Sequence, residues 1–75
     1  MSDLLFYRIP AAPEGSDTET RIAVLPIGGG LALVEGDESF PIAIEAADEM
    51  TVRLATRRGA FFVSAAVIAH VMAAT

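Results

Sequence analysis

The clearest sign of the fold in this chain is RIAVLPIGGGLALVE, residues 21–35. Its two apolar segments, at residues 21–27 and 31–35, are rich in leucine and β-branched residues, and three glycines separate them. Such a pattern predicts a β-hairpin, because glycine readily adopts the positive φ angles of tight turns. Pro26 has no amide hydrogen to donate, so the first strand of this hairpin is expected at a sheet edge or a bulge.

The residues after this hairpin continue as short strands separated by turns. Phe40, Ile42 and Ile44 lie on one face of a half-buried strand, because side chains two positions apart point the same way. Residues 51–56, TVRLAT, and residues 60–63, AFFV, predict two more strands joined by an Arg-Arg-Gly turn. This region of the chain is therefore expected to be a β-sheet with several reversals.

From Ser64 onward the apolar spacing changes to that of a helix. Ser64 is a suitable N-cap, because a serine hydroxyl accepts a hydrogen bond from an early helical amide. The apolar residues that recur at intervals of three and four are Val67, Ile68, Val71 and Met72. We therefore expect a mainly β fold (β-rich α+β), a small roll or barrel of five to six short strands with an extended N-terminal arm and a short C-terminal helix.

The pattern of the first twenty residues indicates the N-terminal arm. Residues 3–9, DLLFYRI, are apolar on both strand faces, and residues 10–20 contain two prolines, a glycine and no large apolar side chain. We expect residues 1–20 to be an N-terminal arm and tether and residues 21–75 to be a compact β-rich domain. An ordinary first strand with a long loop remains an alternative. The residues expected to insert into a partner are Leu4, Leu5, Phe6, Tyr7 and Ile9.

The size and composition of the chain favour association with other proteins. The 75 residues are 53% hydrophobic, and a domain of this length buries only about 60% of the surface that its unfolded chain exposes. The chain has no cysteine and one histidine, which excludes disulfides and argues against a structural metal. Burial against another subunit or a partner is then the remaining source of stability.

The charges are unevenly distributed along the sequence. The chain contains ten acidic residues and five arginines, which give it a net charge of −5. This negative charge argues against general binding of nucleic acid, because the phosphates would be repelled. Arg53, Arg57 and Arg58 follow residue 50, whereas every acidic residue precedes it. We expect these three arginines at contacts with another copy or a partner, where acids such as Glu35 would face them. The alternative is that they are solvated surface residues.

No motif in the sequence indicates catalysis, a cofactor or a membrane span. His70 is expected to be an ordinary helix residue, and the adjacent acids at residues 37–38 and 48–49 are expected to be solvated. The glycines at residues 28–30 lack the lysine and serine or threonine of a phosphate-binding loop. The uncharged residues 59–75 are too few to cross a bilayer, and the N-terminus lacks the pattern of a signal peptide. We therefore expect a non-enzymatic protein without cofactors that binds neither membranes nor nucleic acid.

One part of the sequence resembles a known family. The matching elements are Leu33-Val34, the turn Gly36-Asp37, IAIEAAD at residues 42–48, TVRL at residues 51–54 and GAF at residues 59–61. Over these roughly thirty residues the chain resembles the lambda-type head-decoration (capsid cement) proteins of tailed bacteriophages.

The resemblance implies a structural role in the virion. It implies a homotrimer that binds the major capsid protein on the exterior of the capsid, attaches there through its N-terminal arm and stabilises the shell after synthesis in the host cytoplasm. Two other functions stay open on the residues alone. One is a small phage-type inhibitor that binds and blocks a host protein complex, and the other is a small-molecule-binding barrel or enzyme subunit.

Overall fold

A computed structural model describes residues 6–73, which form a closed antiparallel barrel of six strands followed by one helix. This confirms the expected mainly β fold with a small barrel and a short C-terminal helix. The elements are β1 (Tyr7–Pro13), β2 (Thr20–Ile27), β3 (Gly30–Glu35), β4 (Glu38–Ala46), β5 (Thr51–Thr56), β6 (Gly59–Ser64) and α1 (Ala65–Ala73).

The strands follow one another in chain order around the barrel because tight turns join most of them. Gly28 and Gly29 connect β2 to β3 with φ angles of 59° and 79°, the backbone of a two-residue hairpin turn that glycine adopts without strain. Gly36 has a φ angle of 61° at the turn from β3 to β4. The hairpin predicted at residues 21–35 is therefore present, with Pro26 opposite Leu31 on β3.

Two strands change partners along their length, and these changes close the barrel. β4 pairs with β3 over residues 38–42 and with β5 over residues 43–46. β1 pairs with β2 over residues 7–11 and with β6 at residues 12–13. The barrel thus consists of two sheets that share β1 and β4 as corner strands.

The core lies inside the barrel and under the helix. Alternate residues of each strand point inward, and Val24 and Leu54 are completely buried. The helix starts directly after Ser64, and the amide of Ala65 donates a hydrogen bond to the carbonyl oxygen of Met50 at 2.9 Å. Ile68 and Val71, one helical turn apart, are buried in the same cluster. The buried hydrophobic core residues are Ile9, Ala11, Ile22, Val24, Leu31, Leu33, Leu54, Val63, Ile68 and Val71.

The structure corrects the expectation of a free N-terminal arm. Residues 7–13 form β1, an integral strand with neighbours on both sides, and its inward residues Ile9 and Ala11 are 4% and 1% exposed. The physical reason is that the strand is apolar on its inner face and completes the hydrogen bonding of both β2 and β6. The boundary predicted after residue 20 therefore falls inside the barrel, one residue into β2. The alternative, a first strand followed by a loop, describes residues 7–19.

Candidate interaction surfaces

The two ends of the barrel carry different side chains. In an antiparallel barrel with this strand order, the connections after β1, β3 and β5 lie at one end, which we call the charged end. The connections after β2 and β4 lie at the other end together with the start of α1, and we call this the helical end. The ionisable residues in the connections of the charged end are Glu14, Asp17, Glu19, Asp37, Arg57 and Arg58.

Large apolar side chains are exposed at the helical end. Met50, in the connection between β4 and β5, is 77% exposed, and Ile27, at the end of β2, is 58% exposed. Ile44, two residues before the end of β4, is 41% exposed. Three exposed large apolar side chains toward one end of a small barrel make that end a candidate interaction surface.

Arg53 ties three parts of the barrel together on its outer surface. Its Nε and Nη2 donate to the two carboxylate oxygens of Glu14, at 2.9 and 3.0 Å, and its Nη1 donates to Glu45 at 2.7 Å. Glu45 lies directly opposite Arg53 on β4, and Glu14 directly follows β1. The amide of Glu14 also donates to the carbonyl oxygen of Ala60 at 2.9 Å. This ion-pair cluster therefore holds the region where β1 meets β6.

The bidentate pair with Arg53 changes the ionisation of Glu14. The hydrogen bonds from Arg53, with a smaller contribution from its positive charge, hold the pKa of the Glu14 carboxyl below its usual value of 4.5. The hydrogen bonds to Glu14 and Glu45 raise the pKa of the Arg53 guanidinium above its usual value. The carboxylate form of Glu14 is thus the form that the fold favours.

This pKa shift predicts how stability depends on pH. A carboxyl whose pKa is lower in the folded state stabilises the fold above its unfolded pKa, and this contribution is lost as the pH falls through the folded pKa. We expect Glu14→Gln to reduce the loss of stability on acidification, measured by urea unfolding at about pH 6 and about pH 3. Glu19→Gln is the matched control, because Glu19 has no ion pair among residues 6–73. Equal acid sensitivity of the wild-type protein and Glu14→Gln would contradict the prediction.

Arg58 lies across the charged end of the barrel. Its Nε donates to Glu35 of β3 at 2.8 Å, and its guanidinium lies 5.8 Å from the centre of the Phe40 ring of β4. The hydroxyl of Thr56 accepts a hydrogen bond from the amide of Arg58 at 2.9 Å and donates to the carbonyl oxygen of Gly59 at 2.9 Å. The turn between β5 and β6 is therefore held in a shape that directs Arg58 toward β3 and β4.

The structure places the arginines expected at contacts in two different situations. Arg53 and Arg58 have carboxylates of their own chain as partners, and their role at a contact with another copy stays a prediction. Glu35, expected to face an arginine of another copy, is the partner of Arg58 within the chain. Arg57 is exposed and forms no ion pair within residues 6–73. Its role at a contact stays a prediction.

The residues expected to insert into a partner differ in how far they are buried in their own chain. Ile9 is buried in the core of its own chain, and Tyr7 is half-buried against that core. Phe6 is 48% exposed and is available to a partner. Leu4 and Leu5 lie outside the residues that the structure describes.

Sequence reasoning missed two adjoining grooves on the outside of the barrel. One, of about 320 Å³, is lined by the apolar residues Phe6, Leu25 and Val34 and by residues that include Asp37 and Glu38. The other, of about 230 Å³, shares Val34 and is lined by residues that include Arg8, Arg21 and Glu35. The signal in the sequence was that residues 22–27 and 31–34 are apolar at both odd and even positions, so that apolar side chains face outward as well as inward.

Neither a metal site nor a membrane-spanning helix is present between residues 6 and 73. No group of three or more histidine, aspartate or glutamate side chains is arranged to hold a metal ion in this part of the chain. His70 is exposed in the last turn of α1. Within the same residues, no helix has the length and hydropathy needed to cross a bilayer.

Comparison with known proteins found nothing similar to this chain: no family model, no curated protein and no solved structure matches it.

Proposed function

We propose that this chain is a non-catalytic structural protein that binds the major capsid protein of an assembled bacteriophage capsid, as a homo-oligomer on its exterior, and stabilises the shell. The observation that supports the proposal best is the exposure of three large apolar side chains toward the helical end, Ile27, Ile44 and Met50. The free energy falls when a protein surface covers apolar side chains that the barrel leaves in water.

The geometry of the helical end suits docking onto a preformed surface. The turn at Gly28 and Gly29 carries no side chains, and the connection at residues 47–50 is held by hydrogen bonds from the amides of residues 47 and 48 to the carbonyl oxygen of Thr51. The amide of Met50 also donates to the Asp48 carboxylate at 2.8 Å. The exposed Met50 side chain therefore extends from a loop with a defined backbone, which lowers the entropic cost of binding.

The size of the chain favours a lattice over a single partner molecule. A barrel of 75 residues has little surface to bury at any one contact. Several copies bound together to neighbouring capsid subunits add their contributions, because each binding event raises the effective concentration of the next. Binding that occurs only in the assembled state stabilises that state by mass action. Modest contacts repeated over a shell would then resist its disruption.

The proposal is tested with capsids of the phage that encodes the chain, prepared without this protein. The purified chain is expected to sediment with these capsids and to raise the temperature at which they release their genome. The double change Ile27→Thr/Met50→Gln removes apolar surface from the helical end and is expected to weaken capsid binding at least about tenfold, which corresponds to about 1.4 kcal/mol.

Glu49→Gln is the matched control, because it changes an exposed side chain next to Met50 and removes no apolar surface. This variant is expected to bind and protect capsids at least as well as the wild-type protein. The proposal is wrong if the wild-type chain stays in the supernatant. It is also wrong if capsids that carry the chain and capsids that lack it release their genome at the same temperature. A defined complex with one host protein would then support the inhibitor instead.

A further inference from the structure

The outer surface of one sheet of the barrel has an apolar centre between two groups of opposite charge. We call this surface the front face. It comprises the outward residues of β2 and β3, of β1 over residues 7–11 and of β4 over residues 38–42. Phe6 and the turn after β3 also belong to it. Its centre contains Leu25 and Val34, which are both half-buried. Outward positions of a small antiparallel barrel are usually polar, so an apolar centre there needs an explanation.

The strand register places the charges on opposite sides of this centre. Arg8 of β1 lies opposite Ala23 of β2, Ala23 lies opposite Val34 of β3, and Val34 lies opposite Ser39 of β4. This row therefore runs from an arginine on one side of the front face to the start of β4 on the other. Arg21 lies on the same side as Arg8, and the acids Asp37 and Glu38 lie on the side of β4.

These four charged side chains are available to a partner. Arg8, Arg21, Asp37 and Glu38 form no ion pair within residues 6–73, whereas Arg53 and Arg58 are paired with acids of their own chain. Phe6 is 48% exposed and lines the larger groove together with Asp37 and Glu38. The front face thus presents unpaired charges of both signs around apolar side chains, which is the composition of an interface with an apolar centre and a charged rim.

We propose that the front face binds the front face of a second copy of this chain, related by a two-fold axis that runs parallel to the strands between β2 and β3. Rotation about this axis exchanges the β1 side of the face with the β4 side. The arginines of each copy then lie against Asp37 and Glu38 of the other, and the apolar centres pack together as two aligned sheets. Every charged contact is made twice, as in any interface between identical surfaces.

The placement of both charges on one surface is what selects a second copy in a two-fold dimer. A closed trimer joins two different surfaces of each subunit, so its complementary groups are expected on separate faces. In this barrel the basic and acidic groups flank the same centre. An unrelated partner would need to supply both an acidic and a basic group at matching positions, which a second copy supplies by symmetry. This inference concerns the dimer alone and does not depend on the proposed role on a capsid.

A charge-exchange experiment tests the dimer. Two variants are made, Arg8→Glu/Arg21→Glu and Asp37→Arg/Glu38→Arg, and the masses of the separate and mixed proteins are measured by native mass spectrometry and sedimentation equilibrium. Each variant alone places like charges against each other at both ends of the interface and is expected to dimerise at least about a hundredfold more weakly than the wild-type protein. The mixture is expected to form a heterodimer, because both contacts again join opposite charges.

Two further variants keep the result interpretable. Glu49→Arg reverses a charge at an exposed residue outside the front face and is expected to leave the dimer unchanged. Leu25→Ser removes an apolar side chain from the centre and is expected to weaken the dimer without changing its dependence on salt. Circular dichroism confirms that each variant is folded. A wild-type trimer, a wild-type monomer at high micromolar concentration, or a mixture that stays monomeric would overturn the proposal.

Discussion

Deletion of residues 1–12 will leave a chain that does not fold. The deletion removes nearly all of β1, so β2 and β6 lose their shared neighbour and the barrel has two open edges. It also removes Ile9 and Ala11 from the core, where both are almost completely buried. The truncated protein is expected to show the circular dichroism spectrum and the rapid amide hydrogen exchange of an unfolded chain. A free arm would instead be removed without effect on the remaining domain.

A peptide with the sequence of residues 1–12 is the control for this experiment. Added to the truncated chain, the peptide is expected to restore the β-sheet signal by supplying the missing strand. The same peptide with Ile9→Asp is expected to fail, because it would bury a carboxylate in an apolar core. A truncated chain that folds by itself, with a cooperative melting transition, would contradict the structure.

The change Leu54→Ala will cause a large loss of stability from a single side chain. Leu54 is completely buried on β5, between Ile44 of β4 and Phe61 of β6 in the strand register. Truncation of a buried leucine costs about 2–5 kcal/mol, because it removes buried surface and leaves a cavity. For a domain of this size the melting temperature is expected to fall by more than about 10 °C. Differential scanning calorimetry measures this change directly.

Leu54→Met is the matched control for the loss of volume. Methionine has nearly the volume of leucine and adapts its shape, so its cost is expected to stay below about 1.5 kcal/mol. The difference in melting temperature between the two variants then measures the cost of the cavity, separately from the cost of replacing leucine by another residue. Equal melting temperatures for the two variants would show that Leu54 is not packed as the barrel places it.

The strands and the helix could be predicted because their signals are local. The glycines at residues 28 and 29 mark a turn by their conformational freedom, and the change of apolar spacing after Ser64 marks a helix. The pairing of residues far apart in the chain has no comparable signal. Arg53 lies 39 positions from Glu14, and nothing in either segment indicates that the closure of the barrel brings them within 2.9 Å. The candidate interaction surfaces were for this reason only partly predictable.

The fold class, the turns and the alternation of inward and outward residues follow from local sequence, since each depends on neighbours a few positions apart. The tertiary structure was needed to assign residues 7–13 to a strand of the barrel, because an apolar strand suits an arm and a barrel equally until β2 and β6 are seen beside it. It also decided that Arg53 and Arg58 pair within the chain, and that Arg8 and Asp37 lie on opposite sides of one apolar face. These arrangements depend on strand register around a closed barrel, which no local segment encodes.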